Sequence, residues 1–103
     1  MQDRQKVINL LGLAQRAGKL ISGTETILDE LKRKRVKAVI MANDIQDNTA
    51  EKVNLATKKD NIPLITAFSA AEISHAIGKK RKVLGLTDVG FAKTLIKRVN
   101  EGV

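Results

Sequence analysis

The residues of this sequence best placed to do chemistry are cations, gathered in three clusters: Lys32-Arg33-Lys34-Arg35 with Lys37, then Lys79-Lys80-Arg81-Lys82, and Lys93 with Lys97-Arg98. Such clusters neutralise phosphate, and release of condensed counterions turns their charge into affinity that weakens with salt. Each run also has a plainer reading, as a solvated face or as cations complementing the negative end of a helix. Ser22-Gly23-Thr24-Glu25-Thr26 offers a different chemistry. A glycine there permits close backbone approach, and the free N–H groups of a helix start attract phosphate or base acceptors. Ser22 and Glu25 also have the Ser-x-x-Glu spacing of a capping box, which would account for those two residues alone.

Catalysis has little to work with. His75 is the single histidine and there is no cysteine, so thiol nucleophiles, disulfides and thiolate metal sites are excluded. No P-loop, Gly-x-Gly-x-x-Gly or Gly-x-Ser-x-Gly pattern occurs, and no carboxylates stand at metal-ligand spacing. The reading is of a protein that is not an enzyme, with no catalytic residue, metal or cofactor. Lys plus Arg total 19 against 11 for Asp plus Glu, a formal net charge of +8 that calls for a polyanionic partner. Phe68 and Phe91 are the only aromatic residues, so base stacking on exposed rings cannot be the main mode of binding. The absence of a signal-type or membrane-length apolar run gives the expectation of a cytoplasmic protein without membrane contact.

The elements that must position these residues alternate. Val7, Leu10, Leu11 and Ala14 recur at helical spacing and end at Gly18, a left-handed cap position. Lys19-Leu20-Ile21 is a short strand, and a second helix from the Ser22 box to about Lys34 turns Ile27, Leu28 and Leu31 inward. Lys37 to Ala42 is apolar on both faces, as a covered central strand must be. Asn48 with Glu51 repeats the capping spacing and predicts a third helix carrying Ala50, Val53 and Ala56 to about Lys59. After the Asn61-Ile62-Pro63 turn, Leu64 to Ala67 reads as a strand. Ser69 with Glu72 caps a short helix that stops at Gly78. Val83 to Leu86 is the last strand, and Thr87 or Asp88 caps a final helix whose apolar face is Phe91, Ala92, Leu95, Ile96 and Val99. The 103 residues suit one domain over residues 1–103, a sheet between helices whose strand order periodicity does not fix.

Several stretches resemble the L-seven-Ae/L-thirty-e ribosomal protein superfamily. They are Gly18 to Thr26, the strand end Ala42-Asn43-Asp44, and Ile62-Pro63-Leu64 leading to the Ser69–Gly78 segment. Asn9 to Lys19 and Gly90-Phe91-Ala92-Lys93 look most like its bacterial YlxQ-like branch. The resemblance implies an α/β protein, a three-layer α/β/α sandwich with a small mixed sheet of about four strands and helices on both faces. It implies a ribosomal-protein-like binder of structured RNA, ribosomal or kink-turn-like, held between the start of the second helix and a nearby loop at Thr66–Ala70. With the basic runs, it implies an RNA-contact set of Lys19, Gly23, Thr24, Glu25, Thr26, Lys32, Arg33, Asn43, Asp44, Ala67, Phe68 and Ser69. The family's helix start usually reads Gly-x-Asn-Glu-x-x-Lys; here Gly23 agrees while Glu25, Thr26 and Asp29 replace the other three. An Asp29 carboxylate would repel phosphate where the family's Lys attracts it. The alternative reading is a protein-interaction module, since some members of the superfamily bind partners of the translation machinery. A monomer is expected.

Overall fold

The computed structural model describes residues 3–102, the side chain of Asp3 excepted. Five helices and four strands alternate as α1 (Asp3–Arg16), β1 (Leu20–Ser22), α2 (Thr24–Lys32), β2 (Ala38–Met41), α3 (Asp47–Lys59), β3 (Leu64–Ile65), α4 (Ala70–Ile77), β4 (Val83–Leu86) and α5 (Val89–Asn100). The sheet runs β1-β4-β2-β3, with β4 antiparallel to both neighbours and β2 parallel to β3, and is therefore mixed as expected.

Pleat alternation explains the layers. Ala38, Ile40, Leu84 and Leu86 face one core with Val7, Leu11, Ile73 and Leu95 of α1, α4 and α5. Val39, Met41 and Val83 face the other, with Ile27 and Leu31 of α2 and Val53 of α3. Every residue of β2 and β4 is buried, which is why their sequences read as unbroken apolar runs. Gly85 in β4 faces α2, where an added Cβ would lie 2.8 Å from Ile27 Cδ1.

α1 closes as the sequence predicts. Gly18 adopts φ 73°, its N–H donates to the Gln15 carbonyl, and the Lys19 N–H donates to the Ala14 carbonyl, a Schellman closure. Asp88 is the cap of α5, accepting from the Phe91 N–H at 2.9 Å. The Ser69–Glu72 capping box forms in full. The other two expected boxes do not. α3 opens on Gln46 and Asp47, because the Ala50 N–H reaches back to the Gln46 carbonyl and starts the helix ahead of Asn48. Ser22 is not the cap of α2: it is held in β1 opposite Leu84, and Gly23 takes the cap position without a side-chain acceptor. β3 stops at Ile65, two residues short of the expected Ala67. Beyond it the Ala67 carbonyl is taken by Arg4 and the Phe68 carbonyl by the Asn43 N–H, so the chain leaves the ladder.

Candidate functional site

The two ends of the sheet differ in kind. At the near end lie Ser22, Met41 and Val83, followed by Gly23, Asn43-Asp44, the start of α4 and the α4–β4 loop. At the far end lie Leu20, Ala38 and Leu86, together with the C-termini of α1, α2 and α3.

Of the helices that start toward the near end, α2 and α4 treat their backbone donors in opposite ways, while α3 opens on Gln46 without a side-chain cap. At α4 the Glu72 N–H donates to Ser69 Oγ and the Ala70 N–H to Asp44 Oδ1, while the Ser69 N–H donates to Glu72 Oε1. Arg4 clamps this corner from α1. Its guanidinium lies 2.6 Å from Glu72 Oε1 and 3.0 Å from the Ala67 carbonyl, and sits 4.7 Å over the Phe68 ring. That Arg4 contact, aided by the Ser69 N–H, holds the Glu72 carboxyl below its ordinary pKa. α2 is different. Its first intrahelical bond is Ile27 N–H to Gly23 carbonyl, and Gly23 has no side chain to cap with, so the amides of Thr24, Glu25 and Thr26 keep no intrahelical partner. Three oriented donors and the positive helix end thus face outward.

Gly23 makes this start possible. Its φ of 101° and ψ of 135° suit glycine, and its N–H donates to the Val83 carbonyl, fixing the turn to β4. Across from it stands the loop Gly78–Lys82. Ser74 Oγ accepts from the Arg81 N–H at 3.0 Å and donates to the Arg81 carbonyl at 3.1 Å, which pins the loop to α4. Arg81 Nε then donates to Ser22 Oγ at 3.2 Å, joining the loop to the residue before Gly23. Between them opens a groove of about 520 Å³ lined by Gly23, Thr24, Ala70, Ala71, Ser74 and Lys80 to Lys82. It combines small side chains on its floor, the Thr24 start of α2 on one wall, with the open amides of Glu25 and Thr26 beside it, and three cations on the other. Such a site can seat a phosphate-bearing backbone and leave room for a flat polar group.

Of the residues expected to form one contact set, the structure brings together only part. Gly23 and Thr24 line the groove; Glu25 and Thr26 are exposed beside it, with Glu25 and Asp29 lining recesses on other sides of α2. Asp29 lies 3.6 Å from Arg33. Asn43, Asp44, Ala67 and Ser69 are at the same end, but the backbone of Asn43 and Ala67 and the side chains of Asp44 and Ser69 are engaged in holding α4. Phe68 is a correction: at 1% exposure its ring belongs to the core and cannot stack on a ligand. Lys19, Lys32 and Arg33 are elsewhere, at the far end of the sheet. The second wall of the groove is therefore Gly78–Lys82 rather than Thr66–Ala70. The Lys79–Lys82 run was visible as a charge cluster, but nothing local in the sequence tied it to Gly23.

A model of the family described as ribosomal protein L7Ae/L30e/S12e/Gadd45 matches residues 5–96. The chain is 47% identical over 91 residues to the RNA-binding protein YlxQ of Enterococcus faecium, covering 88% of each chain. It is 40% identical over 88 residues to the RNA-binding protein YlxQ of Bacillus subtilis (strain 168), covering 84% of this chain and 88% of that one. A solved protein of unknown function from Bacillus halodurans C superposes with a TM-score of 0.89 at 31% identity, over 92% of this chain and 97% of that one. The Giardia lamblia 15.5kD RNA binding protein shares the fold, with a TM-score of 0.76 at 16% identity, over 98% of this chain and 88% of that one.

Proposed function

The chain belongs to the ribosomal protein L7Ae/L30e/S12e/Gadd45 family, and from that premise we propose that it is a non-catalytic protein binding structured RNA at the near end of its sheet. The observation that carries this reading is the uncapped start of α2 beside the Lys80-Arg81-Lys82 wall. The three cations take phosphate, and the open amides of Thr24, Glu25 and Thr26 take phosphate or base acceptors, which is how backbone positioning and base reading divide in such interfaces. Rings play no part, so any extruded base lies on Ala70 and Ala71. The RNA is ribosomal or kink-turn-like, and the protein works in the cytoplasm as one domain and a monomer.

Titration of labelled kink-turn, other structured and plain duplex RNA at several salt concentrations tests this. Preference for a structured RNA is expected, with Lys80→Ala, Arg81→Ala and Lys82→Ala each lowering the salt slope by about 0.7–0.9. Affinity no better than that of an unrelated basic protein, or indifference to salt, defeats the reading. A protein partner is favoured by Leu55, which is 65% exposed on α3 and lines two grooves. Capture of the same partner before and after complete RNA digestion would support it.

A further inference from the structure

We infer that the far end of the sheet is a second phosphate-binding face, so that one chain holds two segments of the same RNA. This rests on the RNA-binding reading of the near end. Lys19 and Lys37 flank the end of β4: the Thr87 N–H donates to the Lys19 carbonyl at 3.0 Å and the Lys37 N–H to the Leu86 carbonyl at 2.7 Å. Two strand spacings put their backbones about 10 Å apart, and four residues of strand at about 3.3 Å each separate Lys19 from Gly23 by some 13 Å.

Three helices deliver more cations to this end. Each runs away from the near end, so Arg16 of α1, Lys32 of α2 and Lys58 and Lys59 of α3 finish there. All six residues are exposed, and none forms an ion pair among the described residues. Of the carboxylates of this end, Asp60 is engaged by Lys34 at 2.6 Å, Asp29 by Arg33, and Glu30 by Arg33 and Arg35, while Asp88, two residues past Leu86, accepts from the Phe91 N–H.

Helix dipoles explain Arg16, Lys32, Lys58 and Lys59, which stand in last turns. Lys19, whose N–H closes α1 onto the Ala14 carbonyl, also stands at a helix end, but Lys37 lies beyond every helix end, just before β2. About 10 Å apart and exposed, close to one Debye length at physiological salt, Lys19 and Lys37 repel each other weakly, and neither is neutralised by an ion pair among the described residues. An external polyanion neutralises both, and an RNA already seated at the near end supplies its phosphates from the same molecule at high effective concentration.

The test compares two RNAs, a hairpin with an internal loop and the same hairpin with its stem lengthened by one helical turn, by fluorescence anisotropy over a range of KCl. Lys19→Glu/Lys37→Glu should bind the short hairpin within about twofold of the parent protein. It should bind the long one at least about tenfold more weakly, with a salt slope smaller by about 1.4–1.8, the contribution of two phosphates. Lys19→Gln/Lys37→Gln should show the same slope change with a smaller loss, and matching thermal midpoints would exclude misfolding. Arg81→Glu should weaken both RNAs. The inference is overturned if the Lys19/Lys37 variants treat the two RNAs alike, whether by full retention or equal loss. If the parent protein itself binds neither hairpin, the near-end reading has failed and the bridging role falls with it.

Discussion

Gly85 sets how closely α2 approaches the sheet, and Gly85→Ala measures that closeness. The new Cβ would stand 2.8 Å from Ile27 Cδ1 and 3.3 Å from Ile21 Cγ1 and Val36 Cγ1. Carbon atoms prefer about 3.5–4.0 Å, so the Ile27 tip must retreat by roughly 0.7 Å or more. Ile27 is fully buried among Leu31, Val36, Val39 and Val53, so its tip must retreat into packed neighbours. Overpacking of this kind costs about 1–3 kcal/mol, and the stiffer unfolded chain of an alanine returns about 0.4–1, for a net loss near 1–2 kcal/mol. Urea unfolding should therefore show a lower midpoint at unchanged m. Ile27→Val deletes the clashing Cδ1 and by itself costs about 0.5–1.5 kcal/mol. The double variant should be more stable than the sum of the two losses by about 1 kcal/mol, well outside the ~0.3–0.5 expected of independent sites. Additive losses, or a stabilised Gly85→Ala, would refute the contact. Because α2 carries the open amides at its start, the single variant should also bind RNA more weakly, and Ile27→Val should restore part of that affinity.

Gly23→Ala should cost about 1–2 kcal/mol by backbone strain, since its Cβ would meet only Thr26 Oγ1 at 3.8 Å. RNA affinity measured under native conditions should fall with it. Arg4→Met removes the main cause of the lowered Glu72 pKa and the contact over Phe68. A depressed folded pKa gives stability that is present above the unfolded value and lost as pH falls through the folded one. Urea midpoints taken from neutral pH to below 4.5 should fall less steeply for this variant than for the parent protein, while its stability at neutral pH drops by about 1 kcal/mol for a half-exposed pair. Asp29→Lys removes one of the two carboxylates beside Arg33 and reverses a charge one turn beyond Glu25. Kink-turn affinity should rise in a gel-shift titration, and no gain would mean that α2 meets RNA through its first turn alone.

What the sequence made legible was whatever neighbouring residues decide. Gly18 and Gly78 end helices through their own backbone freedom, Asp88 and Ser69 cap through atoms three residues on, and the buried runs of β2 and β4 follow from apolar content. The order β1-β4-β2-β3 was not legible, because the last strand lies inside the sheet and its partners are chosen by helix packing on both faces. The same limit governs the site. The capping pattern occurs at Ser22, Asn48 and Ser69, yet only Ser69 completes it. Ser22 fails because its hydroxyl accepts from Arg81, 59 residues away, and because strand pairing with Leu84 keeps it out of the helix turn. That failure leaves the Glu25 amide open beside those of Thr24 and Thr26, and the same Arg81 contact brings the second basic cluster alongside them. A local rule is broken here by long-range contacts that build the groove, and breaks of this kind are expected at binding sites, the role proposed for this groove.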